Sequence, residues 1–150
     1  MLTLFITLQI ILLLFLALHD WVNIPPFTDI KALEKHHTKK ERLLTSCINT
    51  SIVLIPLLLT MQSDGHFSFK TIVFIVISYL LLTIGTLCAW WIPYLWGSSQ
   101  EHKQGFIEYK NTHAFLPKRG DNVVPNTFHV IMHLFIWSCL AIALYYLYNC

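Results

Sequence analysis

His129 and His133 stand at i and i+4 inside a long apolar run, so on a helix both imidazoles project from one face. His133 lies about two turns inside that run, near ~10 Å at the 1.5 Å rise of an α-helix. Neutral imidazole binds transition metals and acts as a base. His19-Asp20, at the far end of the first apolar run, can complete a site with them. Three imidazoles, or two with a carboxylate, satisfy the ligand needs of zinc, copper or non-haem iron. One histidine from each of two facing helices would instead clamp a haem. A divalent metal or haem held by His19, Asp20, His129 and His133 is therefore one expectation. The pair lacks the neighbouring glutamate of the H-E-x-x-H motif, which removes metalloprotease chemistry. Two further uses remain: acid–base or ligand-binding work, or hydrogen bonds to Asn49, Thr50 or the third connection that only organise the helices.

His113 and Glu101 join His129 and His133 as catalytic candidates. In Asn111-Thr112-His113-Ala114-Phe115-Leu116-Pro117, a polar triplet precedes an apolar turn that can tuck back and present His113 to the cluster. Glu101 has a structural alternative, because Ser98-Ser99-Gln100-Glu101 has capping-box spacing. His36 and His37 lie in a charged stretch and are expected in solvent, and His102 at an interface. Glu108 is expected to pair with Lys110 or water.

The elements that must position these groups are four apolar runs: Leu2–Val22, Leu43–Met61, Phe69–Leu95 and Thr127–Leu147. Each is near or above the ~20 residues a helix needs to cross a hydrocarbon core. Backbone polar groups in lipid must be satisfied within the segment, which selects helices over open strands. With 55% hydrophobic and 12% charged residues and a mean hydropathy of +0.59, the composition has a membrane signature. The expected fold is an all-α integral membrane protein, one four-helix transmembrane bundle over residues 1–150, with short interfacial helices in two connections. The first run has no basic n-region and no small-x-small site at Ala17-Leu18-His19-Asp20, so it is expected to remain as a span.

Nine of the ten Lys and Arg fall in the first and third connections; only Lys70 falls in the second. Basic loops stay in the cytoplasm, so both termini are expected outside, with the first and third connections cytoplasmic. Trp21, Trp90, Trp91, Tyr94 and Trp96 are expected as an aromatic belt at the cytoplasmic interface, and Tyr145, Tyr146 and Tyr148 at the outer one. Asp29, Glu34, Glu41, Glu101, Glu108 and Asp121 are interspersed among the bases, so no single-sign field builds up and nucleic acid is not an expected partner. The lipid bilayer is. In the cytosol, Arg119-Gly120-Asp121 cannot serve as an adhesion tripeptide.

Pro25-Pro26 ends the first span, and Thr28 is expected to cap a short helix through Asp29-Ile30-Lys31. Pro56 is expected to kink the second span. A helix is expected over about Ser99–Lys110, and Asn126 as the cap of the fourth span. Cys47, Cys88, Cys139 and Cys150 form no C-x-x-C pair, which disfavours a thiol relay.

Seven of the eight histidines, all but His66, fall at the cytoplasmic level, with Asp20, Asn23, Glu101 and Glu108. Ionisable groups at membrane depth usually face the bundle interior or a wet cavity. Three functions follow as expectations. The first is a membrane enzyme or ligand-binding protein with a pocket at headgroup depth, taking a lipid or another amphiphile. The second is an accessory subunit in which the cluster is hydrogen-bonding glue. The third is a channel or transporter component, disfavoured because Gln9, Tyr79, Thr83 and Ser138 are nearly the only polar groups deeper in the spans.

Overall fold

The computed structural model describes residues 1–150, and its regular structure is entirely helical. Three helical stretches are long and apolar enough to cross a membrane: Lys39–Gln62, Phe69–Trp96 and Thr127–Tyr148. The first apolar run forms a shorter helix, α1 (Leu2–Leu18), ending before the expected Val22. The His19 ring turns back to donate from Nδ1 to Leu16 O at 3.1 Å, and Trp21 and Val22 both close a turn on Leu18 O. Polar hydrogen bonding at His19 thus wins over continued apolar pattern.

The first connection holds α2 (Ile30–His36). Its cap is Asp29, which accepts from Ala32 N at 3.0 Å, rather than the expected Thr28. Thr28 instead stitches the preceding loop, accepting from Ile24 N and donating to Val22 O. Helix α3 (Lys39–Gln62) begins one turn earlier than its apolar run, because Thr38 and Glu41 form a reciprocal capping box. Pro56 is carried inside it.

Helix α4 (Phe69–Thr86) runs through a π-helical turn, Leu87–Trp91, into α5 (Ile92–Trp96). Pro93 explains the turn. It has no N–H for the carbonyl four residues back, Ala89, and its ring crowds that carbonyl; a wider turn relieves the clash. The orphaned Ala89 oxygen is satisfied by His102, whose Nε2 donates to it at 3.0 Å. Gly97, at φ 100°, then ends the rod in a conformation that favours glycine.

The helix expected over 99–110 is two pieces, α6 (Gln100–Gln104) and a 3-10 turn at Ile107–Tyr109. Ser99 caps α6 through His102 N at 3.2 Å; the Ser98–Glu101 box does not form. Helix α7 (Thr127–Tyr148) is capped by Asn126, as its sequence predicts.

Helix α1 lies against α3 and α7, α4 packs most closely on α7, and of these neighbouring pairs and α3–α4, the last is the loosest. Phe5, Leu12, Val53, Ile75, Ile136 and Cys139 meet in the common core. A buried Gln9 donates to Thr60 Oγ1 at 3.1 Å across α1 and α3. Large apolar side chains such as Leu14, Leu58, Leu81 and Leu134 point outward. Cys150 Sγ reaches Phe67 O at 3.3 Å, and a Cβ at Gly65 would lie 3.7 Å from the Leu2 side chain, so both termini share one end with the second connection. The first and third connections meet at the other end, where His113 N donates to Pro26 O at 2.8 Å.

Candidate functional site

At the end formed by the first and third connections, a cavity of about 480 Å³ opens between α1, α3, α4 and α7. Its inner wall is apolar, with Leu16, Ile52, Leu82, Met132 and Ile136, and Gly85 beside them. Its outer wall is polar: His19, Asp20, Arg42, Glu108, His129 and His133. The two halves follow from the chain. Apolar runs supply the depth, and the points where helices start or stop supply the polar rim.

Arg42 is buried one turn into α3. It donates to Glu34 Oε1 at 3.0 Å and to the Asp20 carbonyl, and its guanidinium lies 4.6 Å from the Trp21 ring centre. Its Nε has no partner. Trp21 in turn donates to Ser46 Oγ at 3.0 Å, so α1 and α3 are locked together at this end. Glu108, 4% exposed, receives His37 Nε2 on one carboxylate oxygen at 3.1 Å, while its Oε2 is buried without a partner. Glu108 therefore lacks the solvated role its sequence predicts, whereas the His37 side chain stays 40% exposed. Beside them, burial first and then the charges of Asp20 and Glu108 push the Tyr109 hydroxyl well above its ordinary value.

The partners of each imidazole assign its protons. Asn126 donates through Nδ2 to Thr112 Oγ1 at 2.9 Å, which turns its oxygen toward His129. That oxygen accepts from His129 N at 2.9 Å and from His129 Nδ1 at 2.8 Å. Neutral His129 therefore carries its proton on Nδ1 and keeps a lone pair on Nε2. His133 is the reverse. The Trp91 indole can only donate, and it donates to His133 Nδ1 at 3.0 Å, so the proton sits on Nε2. That Nε2 is buried and has no acceptor. Neither ring bonds to Asn49 or Thr50. Trp90 packs on His129 at 4.3 Å between ring centres, and Tyr109 meets it edge-on at 4.9 Å.

These roles bear on the metal expectation. His19, His129 and His133 do converge, with ring centres 6.0 Å and 6.2 Å apart along the series, and His19 Nε2 lies 3.1 Å from Asp20 Oδ1. Yet no group of three or more His, Cys, Asp or Glu is arranged to hold a metal ion. The reason is in the hydrogen bonds. His19 points both nitrogens at acceptors and His133 keeps its Nε2 proton, so only His129 offers a free lone pair. A metal-bound imidazole needs its second nitrogen to donate outward, the opposite of what Trp91 imposes on His133. The same count leaves a haem without its second axial imidazole. The residues present do not fit either group.

Of the other candidates, Glu101 is exposed and lies outside the cavity. His113 does tuck back, but as a brace: its ring meets Thr127 Oγ1 at 2.7 Å and Phe27 edge-on, away from the cavity. Sequence reading missed Arg42, Tyr109 and the inward use of Trp90 and Trp91, which were expected in an interfacial belt; it placed Glu108 at this level but paired it with Lys110 or water rather than His37. Only Pro93 two residues on, with its power to rewind the helix, signals that Trp90 and Trp91 change face. Trp96, 77% exposed, keeps the expected outward position.

Compared with known proteins, the chain matches no family model, no curated protein and no solved structure.

Proposed function

We propose that this chain is a four-helix transmembrane bundle that binds an amphiphile, entering sideways from the bilayer between α3 and α4. The cavity itself carries the reading: one wall polar, one wall apolar, at a helix end rich in basic residues. Such a gradient matches a molecule lying with its head at headgroup depth and its chain toward the core. A volume of about 480 Å³ is ordinary for a small-ligand site. Gly85 supports the entry route, because a Cβ built there meets nothing within 4 Å. The outward apolar side chains of all four long helices suit lipid contact, since an apolar exterior that large is unusual in a water-soluble monomer. The nine-to-one charge split supports cytoplasmic first and third connections, with both termini outside.

Lipid extraction and mass spectrometry of the detergent-purified protein test this. A co-purifying amphiphile that falls several-fold in Gly85→Leu is the expected result; leucine fills the groove without straining a helical position. No amphiphile, or equal amounts in both proteins, would favour the accessory-subunit reading. Transport has less support, because Gln9, Thr60 and Tyr79 are sealed in the core and line no passage.

A further inference from the structure

We infer that the third connection carries a second site, separate from the histidine cavity, for the headgroup of an anionic phospholipid; this rests on the chain being membrane-embedded with that end at the cytoplasmic leaflet. The site is a groove of about 580 Å³ within residues 103–124. In sequence, the bases of this connection alternate with Glu101, Glu108 and Asp121, and no single-sign field is expected. The fold separates them. Glu108 turns inward, 4% exposed, and takes His37 as its partner. Asp121 lines the groove but is held by Lys103. Glu101 is not part of the lining. That leaves Lys110 and Lys118, both exposed, both lining the groove and neither in an ion pair. Three lysines against the one carboxylate of Asp121 give the groove an excess of two positive charges.

Charge complementarity thus selects an anion, and the lysine ammonium is a point charge suited to phosphate. The rest of the lining selects a lipid over a soluble anion. Ile107, Leu116, Val123 and Val124 border the same groove, and Ile107 is 46% exposed. Phe115, between two lining residues, is 58% exposed. A free phosphate has no use for apolar surface beside its cations, whereas the glycerol and upper acyl carbons of a phospholipid cover it. The position agrees. Val123 and Val124 lead directly into the Asn126 cap of α7, so the groove borders the helix end where headgroups of that leaflet lie. Anionic lipids are the headgroups that basic pockets at the cytoplasmic face recruit.

Native mass spectrometry of the full chain in detergent, titrated with dioleoyl-phosphatidylglycerol or dioleoyl-phosphatidylcholine, tests this. The expected result is about tenfold tighter binding of the phosphatidylglycerol, the scale on which two lysines beside an anionic headgroup act. Lys110→Ala/Lys118→Ala should remove that preference, and Lys110→Arg/Lys118→Arg should keep it. Both lysines are exposed, so neither double variant disturbs the core. Gly85→Leu, which fills the other cavity, should leave the preference unchanged. Its loss in Gly85→Leu would put the anionic lipid in the histidine cavity, overturning the second site while the amphiphile reading stands. Equal binding of the two lipids by wild type, or a preference that survives loss of both lysines, also overturns the second site alone. Displacement of phosphatidylglycerol by glycerol 3-phosphate or a hexaglutamate peptide at matching concentration would make this a surface for soluble anions and overturn the lipid assignment. Binding of neither lipid would overturn the membrane reading together with the inference.

Discussion

The amide of Asn126 is used in both directions, its oxygen holding the His129 backbone and ring and its nitrogen held by Thr112. Removing it in Asn126→Ala should cost about 1–2 kcal/mol, the upper part of the range for an N-cap. Asn126→Asp should recover most of that through the retained acceptor. Thermal unfolding in detergent, followed by circular dichroism, reads the difference; equal melting of all three proteins would sink the argument. A second residue-scale expectation concerns Asp121, held below its ordinary 3.8 by the hydrogen bond and then the charge of Lys103. Its folded value is depressed, so the tie between α6 and the 118–122 turn is complete above 3.8 and is lost as pH falls through the lower, folded value. The ¹³C carboxyl titration of Asp121 should therefore move upward in Lys103→Ala, and an unchanged midpoint would refute the pairing. At this scale the spacing of His129 and His133 was legible in the sequence, and so was Asn126 as a cap. The opposite tautomers were not, because Trp91 fixes one from the rewound turn and Asn126, oriented by Thr112 of the third connection, fixes the other.

Elements were legible where the apolar runs are long and ambiguous where a single side chain decides. Lys39–Gln62 and Thr127–Tyr148 follow from hydropathy within about a turn. The early start of α3 had its own signal in Thr38-Lys39-Lys40-Glu41, a capping-box spacing that stands outside the apolar run. The π turn had only Pro93, and the split of 99–110 only Gly105. The link between Pro93, the Ala89 carbonyl and His102 can be tested as a unit. His102→Leu leaves a backbone oxygen without its donor and should destabilise by about 1–3 kcal/mol. In a Pro93→Ala background the restored amide can take that oxygen, so the same change should cost much less. A double-mutant cycle on apparent melting temperature measures the coupling, and additivity would show that His102 is not the substitute donor.

For the whole molecule, the end-to-end arrangement is the legible part: three connections and two termini sort into two groups by charge, and the same two groups meet in space. Which group faces the cytoplasm can be read with a membrane-impermeant thiol reagent on intact cells, in a background with Cys47, Cys88 and Cys139 changed to alanine. Cys150 should label from outside, and Asp121→Cys on a Cys150→Ala chain only after the membrane is opened. The reverse pattern would invert the assignment. The cavity was only half legible, since its histidines were visible but its volume arises from how the helices pair. That pairing has a mechanical corollary. The close contacts run α1 to α3 and α4 to α7, the two pairs are joined along α1 and α7, and the loosest of these neighbouring contacts is between α3 and α4. Rotation about the α1–α7 line would part the α3–α4 seam while leaving both close pairs intact. The softest deformation of the molecule is thus that of a book opening along the α3–α4 seam, with the 63–68 hairpin as the clasp at the far end of its pages.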